Sequence, residues 1–406
     1  MRVLAISNWF PWPPDCGARM RIHYLLREIA RSNEVTLLSF AREHPSDTDI
    51  AAVKAYCQEV AIVPFRPYDP RRWDALLGFF LPEPRFVHAT YSTEMERLVQ
   101  EWMSRDEFDV VVAFAIGPSG GTAPYVRGVQ GVPRLLEDPE LSIIKDRISL
   151  QSRWYQRTRL RLTWWKLRRY MAGLLRDMNA CTVSSAKERD LLTSIQPDGL
   201  PVQVIPNGVD PTLYDDDFGP LEPDTLVFPG AMTYRANFAA MAFFLREVFP
   251  LILRQRPGAK LYITGKTDGV PVHRLPLREG VVLTGYLQDV RPRIARSQVC
   301  VVPMTMGGGT RLKILEAMAL GTPVVSTSKG AEGLDVRSGE EILIADDPET
   351  FAAQVVRLLE DPALRERLAQ NGRRLVRERY DWREIGRRFE AFLEQVVAEW
   401  NDVDIN

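Results

Sequence analysis

The sequence predicts an α/β protein made of two doubly wound parallel-sheet domains facing a central cleft. Three observations carry this. Short β-branched runs alternate with longer segments of helical period. The alternation starts afresh halfway along. The 406 residues suffice for two domains of roughly 100–200 residues each. Continuous apolar strands separated by helices indicate a parallel sheet covered on both faces.

In the first half, residues 3–6 read as a buried strand, 19–32 as a helix, and 35–39, 60–63 and 110–113 as further strands. The pattern restarts after residues 202–208, and the boundary falls near Pro206-Asn207-Gly208, a turn-rich hinge candidate. Strands follow at 225–228, 260–263, 281–283, 299–302 and 323–325, with helices at 238–256, 290–296 and 311–320. The expected division is 1–203, 204–380 and a closing segment 381–406, whose amphipathic helix 382–400 packs back on the first domain. Ligands of such sheets bind beyond the carboxyl ends of the strands, so functional residues belong in strand-to-helix loops.

Composition narrows the function. The formal net charge of -1 argues against a chain basic all over, so any nucleic-acid or membrane contact has to come from a local patch. Cys16, Cys57, Cys181 and Cys300 form no C-x-x-C pair, and the four histidines are scattered. Reduced thiols in a cytoplasmic protein are expected, with no metal site. No signal peptide is read at the N-terminus. The apolar runs, such as residues 110–116, fall far short of the roughly 20 residues of a spanning helix.

The strongest motif runs from Val301 to Val325: strand, glycine loop, helix, turn, strand. Thr310 is a candidate N-cap and Gly321 suits the position past the helix end. Gly307, Gly308 and Gly309 let backbone N–H groups approach a phosphate, and the helix start adds partial positive charge. Arg311 and Lys313, beside Leu312 in the first turn, oppose that dipole unless an anion sits there. Glu316 lies deeper on the helix, where a carboxylate suits the vicinal hydroxyls of a ribose. The plainer reading is a tight βα turn with Arg311, Lys313 and Glu316 on a solvated face.

At these residues the chain resembles the family-4 retaining glycosyltransferases of GT-B fold, whose hallmark leads into Leu315-Glu316-Ala317-Met318-Ala319 and continues as Gly321-Thr322-Pro323-Val324-Val325. The likeness extends to residues 204–210, to Pro229-Gly230-Ala231-Met232 with Tyr234 and Asn237, and to Tyr380-Asp381-Trp382. It covers most of residues 201–400. The hallmark's first Glu is replaced by Gly308, as in a subset carrying Gly-Gly-Thr-Arg-Leu-Lys, which leaves the donor sugar open. The resemblance implies two Rossmann-like domains and a nucleotide-diphosphate sugar as donor. It also implies retention by same-face attack and no cofactor or metal. Glu316 falls on the donor ribose, and Gly308, Gly309 and Thr310 offer backbone N–H groups to the sugar. Arg235, with Arg311 and Lys313, is the candidate for the diphosphate; positive charge on the leaving group stabilises the transition state. It further implies that the loop of Gly17 lies near acceptor and sugar, and that Gly285-Tyr286-Leu287 lies beside the base.

Glu137 and Asp138 end a strand of the first domain and are the best-placed carboxylates to orient or deprotonate an acceptor hydroxyl; the alternative is a salt-bridged strand end. Three other motifs are set aside. Gly265-Lys266-Thr267 lacks the first glycine of a P-loop, position 260 being Lys260. Asp47-Thr48-Asp49 and Asp215-Asp216-Asp217 read as solvated loop charge. Between Lys145 and Arg176 there are ten basic residues and one acid; Leu160, Trp164, Leu167, Met171 and Leu174 recur at helical spacing, with Trp154, Tyr155, Trp165 and Tyr170 interleaved. This segment suits an anionic membrane surface at the inner face of the plasma membrane, with residues 72–81 as a second interfacial element. A helix buried on its sheet with a basic rim is the other reading; no nucleic-acid module is recognised. The acceptor, whether glycan, lipid-linked saccharide or small molecule, stays open. So do a nucleotide-sugar epimerase and a non-catalytic scaffold, whereas a dinucleotide oxidoreductase lacks G-x-G-x-x-G after the first strand.

Overall fold

Strands apolar on both faces need cover on both sides, and in the structure, a computed structural model, they have it. Residues 1–69, 71–78, 80–115, 121–149, 153–196, 199–307 and 311–404 are described. The chain divides into two compact units, residues 1–207 with 382–406, and residues 208–381.

In the first unit seven parallel strands lie in the order β3-β2-β1-β4-β5-β6-β7. They are β1 (Arg2–Ser7), β2 (Glu34–Ala41), β3 (Glu59–Pro64), β4 (Val110–Phe114), β5 (Arg134–Glu137), β6 (Ala180–Val183) and β7 (Val202–Val204). Val3 of β1 stands in register with Val35 and Val110. Successive side chains alternate between faces. Leu4 and Ile6 therefore enter one core with Val111 and Ala113, while Val3 and Ala5 enter the other with Val35 and Val112. The second core is closed by the helices Gly17–Ile29 and Trp382–Asp404. Trp382 is fully buried and stacks on Tyr24, the ring centroids 5.2 Å apart and the planes 6° from parallel. Gly386 allows close approach, since a Cβ there would collide with Glu28.

The second unit holds six parallel strands in the order β10-β9-β8-β11-β12-β13. These are β8 (Glu222–Phe228), β9 (Lys260–Thr264), β10 (Val281–Gly285), β11 (Ser297–Val302), β12 (Val324–Ser326) and β13 (Leu343–Ile344). Chain order reverses between β8 and β11, so residues 229–234 and 303–307 leave the sheet side by side. Such a switch point is where open α/β sheets bind ligands.

Three expectations are revised. The helix expected at 238–256 begins at Arg235 and is interrupted by a π-helical turn, Phe244–Val248, before Phe249–Gln255. Pro250 lacks an N–H and its ring crowds the preceding turn, which the wider π turn relieves. Residues 235–255 thereby form the one helix, among the described residues, long and apolar enough to cross a membrane; half of it is buried, and Ala240, Phe244, Val248 and Ile252 lie in the second unit's core. Asp47 and Asp49 are not loop charges. They open the helix Asp47–Lys54, where the side chain of Ser46 accepts from Asp49 N–H and Asp49 returns the bond.

The Trp382–Tyr24 stack gives the first prediction. Trp382→Ala lowers the unfolding free energy by about 3–5 kcal/mol, measured by urea denaturation. A change below about 1 kcal/mol would mean that the closing helix is held by other contacts.

Candidate functional site

The glycine loop after β11 leads into the helix Leu312–Leu320, which ends on Gly321 in the left-handed region at φ 75°. The N-cap position is Arg311 rather than Thr310, and the Arg311 side chain does not cap the helix start. Gly308, Gly309 and Thr310 lie outside the described residues. Arg311 is buried and curls back, donating from Nη2 to the carbonyl of Gly307 at 2.8 Å. Gly307, at φ 105°, brings the loop within reach of Tyr234: a Cβ there would stand 3.2 Å from the Tyr234 hydroxyl. The loops after β8 and β11 therefore touch. Leu312 packs its side chain on the core.

Lys313 is the centre of the constellation. Its ammonium donates to Asn237 Oδ1 at 2.8 Å and lies 4.1 Å from the centroid of the Phe228 ring. Asn237 is buried and donates in turn to the carbonyl of Ala231 at 2.9 Å, which holds the loop after β8. Gly230 is required here. A Cβ at that position would fall 2.8 Å from Lys313 Nζ and 2.7 Å from Asn237 Nδ2. Burial pushes the Lys313 ammonium down to about 7; Cys300 and Glu316 pull it up and Arg311 adds to the fall. Burial raises the Glu316 carboxyl above its ordinary range, opposed by Lys313 and by a hydrogen bond from Tyr214. Tyr214 comes from the short 3-10 turn Pro211–Tyr214. Arg235, the first residue of its helix, is exposed and makes no ion pair among the described residues.

Two residues missed by sequence reasoning join this site. One is Tyr214, which no motif marks. The other is Lys266, set aside with the false P-loop. The carbonyl of Lys266 accepts from Met232 N–H at 2.9 Å, and its ammonium lies 5.3 Å from the Tyr286 ring. Gly265 accepts no side chain, since a Cβ would stand 2.6 Å from Ala231 N, and its own N–H donates to Gly285 at 2.9 Å. Gly285 (φ 69°), exposed Tyr286 and half-buried Leu287 thus flank the same loops.

In the first unit Gly17 is exposed at the start of its helix. A cavity of about 410 Å³ opens beside the preceding loop, lined by Trp9, Trp12, Arg19, Arg42 and Glu43. Glu137 and Asp138 lie elsewhere and are sealed, 0% and 1% exposed. Fully buried Arg21 donates to Glu137 at 2.7 Å and to Asn207 at 2.9 Å, and sits 3.3 Å from Asp138. Asp138 adopts φ 51°, and its carboxylate accepts from Ser184 N–H at 2.9 Å. Burial pushes the Glu137 carboxyl up to about 7, Arg21 pulls it down and Asp138 pushes it up. This is the salt-bridged strand end, closed to an acceptor hydroxyl by lack of exposure. Among the described residues no group of three His, Cys, Asp or Glu could hold a metal ion.

Comparison with known proteins accounts for both halves. Residues 16–213 match the model of Glycosyltransferase Family 4, and residues 223–361 that of Glycosyl transferases group 1. The chain belongs to the glycosyltransferases. Among curated relatives it is 28% identical over 249 residues to the phosphatidyl-myo-inositol mannosyltransferase of Mycobacterium tuberculosis, covering 57% of this chain and 65% of that one. The first curated relatives are matched over 43%, 57% and 65% of their own length. Among solved structures, sucrose-phosphate synthase from Thermosynechococcus elongatus superposes with a TM-score of 0.67 at 18% identity, over 98% of this chain and 100% of that one. HepE of Anabaena, in complex with UDP and glucose, gives 0.66 at 15%, over 97% and 100%. Two parallel-sheet α/β domains of GT-B type are thereby shown for this glycosyltransferase along the whole chain.

The buried ammonium gives a pH prediction. In the free glycosyltransferase, Lys313 reacts with an amine-selective acylating reagent with a midpoint near pH 7, against an ordinary value of 10.5. Because the folded value lies below the unfolded one, the unfolded chain binds the extra proton between the two, and stability gains from this group as pH rises from 7 towards 10.5. Gly230→Ala, which forces Lys313 outward, returns the midpoint towards 10.5. A midpoint already near 10 in the parent protein would refute the buried placement.

Proposed function

We propose that this glycosyltransferase moves a sugar from a nucleoside diphosphate to an acceptor hydroxyl, with the nucleotide held in the second unit. The observation that carries the reading is the buried Lys313 ammonium at the switch point between β8 and β11, in the first turn of the helix Leu312–Leu320. A buried cation is disfavoured unless an anion arrives. A diphosphate at this place gains the helix-end N–H groups, Lys313 and the exposed Arg235. Lys266 adds a further cation beside the loop of Gly230. Arg311 acts by shaping the loop through its bond to Gly307. Glu316, four residues after Leu312 and steadied by Tyr214, is placed to accept from the ribose hydroxyls. Tyr286 and Leu287 are assigned to the base.

Charge on the departing diphosphate is neutralised by these cations and by the helix end, which lowers the barrier to C–O cleavage without calling on a metal or cofactor. Following the family likeness, the acceptor hydroxyl attacks from the face the diphosphate leaves, its proton passes to the leaving oxygen, and configuration is retained. Glu137 and Asp138 are given no contact with substrate; with Arg21 and Asn207 they position the end of β5. The cavity at Trp9, Trp12 and Arg42 is assigned to the acceptor, since indole faces and a guanidinium suit a polyhydroxylated ring. The name of the mannosyltransferase relative supports a lipid-borne acceptor.

Glu316→Gln weakens nucleotide-sugar binding about tenfold to a hundredfold, the worth of one charge-assisted hydrogen bond, in calorimetric titrations with UDP-, GDP-, dTDP- and ADP-sugars. Unchanged binding would remove Glu316 from the site. Affinity for the preferred donor falls as pH rises above about 7, where free Lys313 loses its proton, and binding takes up protons there. Release of an isomerised sugar without an acceptor would favour the epimerase reading.

A further inference from the structure

The helix Trp154–Leu175 has two apolar sides, and only one is explained by the core. Its second half is anchored: Leu167, Met171, Leu174 and Leu175 are buried. At 3.6 residues per turn, Trp154, Leu162 and Trp165 fall on the opposite side. They are 78%, 51% and 52% exposed. Arg161 and Arg168 share that side, and the helix carries six basic residues and no acidic one. Arg169 stacks on Trp165, its guanidinium carbon 5.0 Å from the ring centroid.

A second segment adds to this face. Lys166 donates to the carbonyl of Leu81 at 2.8 Å, and lies 3.3 Å from that of Gly78, pinning the stretch after the helix Trp73–Leu77 against the flank of the basic helix. The short helix exposes Trp73 (83%) and Leu77 (60%), and the stretch after it exposes Phe80 (91%). A groove of about 330 Å³ runs along the basic helix, lined by Leu160, Leu162 and Arg159 on that helix and by Arg85 and Phe86 opposite. Large aromatic side chains so exposed cost hydration free energy unless something covers them.

We propose that these two segments form one docking surface for an anionic lipid bilayer, with Trp154, Trp165 and Phe80 entering the headgroup boundary while Arg157, Arg161 and Arg168 meet lipid phosphates. Charge complementarity selects this occupant. Indole and phenyl rings prefer the interfacial depth, and guanidinium groups around them match anionic headgroups. The surface lies wholly in the first unit, so the inference stands apart from the reading of the nucleotide site. It states where a lipid-borne acceptor would meet this enzyme.

The test is co-sedimentation of the full chain with vesicles of phosphatidylcholine alone or mixed with phosphatidylglycerol, together with tryptophan fluorescence. The expected result is pelleting with the mixed vesicles only, weakened by salt, with a blue shift of the indole emission. Trp154→Ala with Trp165→Ala abolishes the shift and cuts vesicle binding about tenfold or more, and Arg161→Glu with Arg168→Glu does at least as much, since basic residues draw the surface to anionic lipid. Trp165→Phe, a control for folding, keeps the binding. Binding lost in the charge variant but untouched in the tryptophan variant would overturn the proposal in favour of a general polyanion site. A dimer in sedimentation velocity that dissociates in the tryptophan variant would overturn it in favour of a second copy of the chain. Failure of the parent protein to pellet with mixed vesicles would also overturn it.

Discussion

A single buried ammonium organises the second unit. Lys313 is drawn under the loop after β8 by Asn237 and by the face of Phe228, and its neighbours are arranged around it. Gly230 lacks a side chain because the space belongs to Lys313 and Asn237. Asn237 uses its other end to hold Ala231. Glu316 on the next turn supplies compensating negative charge, itself costly to bury. The cation is left partly unbalanced, which is the condition for a site that gains when a polyanion enters.

That arrangement depends on sheet order. β8 and β11 are separated in the chain by β9 and β10 yet lie side by side. Their loops emerge together, and β9 on the other side of β8 brings the Gly265-Lys266 turn against Ala231 and Met232. In the first unit the equivalent economy is the Arg21 node. One guanidinium joins the end of β5 to the segment that runs towards the second unit, and it does so by satisfying two carboxylates that would otherwise be buried without a counterion.

Much of this was legible. Central strands such as Val110–Phe114 announce themselves because both faces are apolar, and Gly321 marks the helix end because the left-handed position excludes side chains at little cost only for glycine. The Ser46-to-Asp49 spacing also carries a capping box, which acidic residues between elements disguise as loop charge. β6 and β7, four and three residues long, carry too little periodicity to stand out. The motif around Lys266 lacks the P-loop spacing, and it is the neighbouring strand, not the motif, that brings this residue to the loop after β8. Tyr214 and the Lys166 bridge to Leu81 join residues far apart in the chain, for which local pattern holds no signal.

The sequence by itself determined the two-sheet α/β plan, the glycine loop, the family, and the presence of a basic, tryptophan-rich helix. These follow from composition and spacing along a few turns or strand residues, where steric and hydrophobic rules act locally. Only the tertiary structure decided that Glu137 and Asp138 are sealed against Arg21, that the Lys313 ammonium is drawn in against Asn237 and Phe228, and that Trp154, Leu162 and Trp165 lie on the side of their helix away from the core. Burial and pairing depend on which elements become neighbours across the sheet. That choice is made by packing over the whole unit, so it leaves no mark in any short stretch of residues.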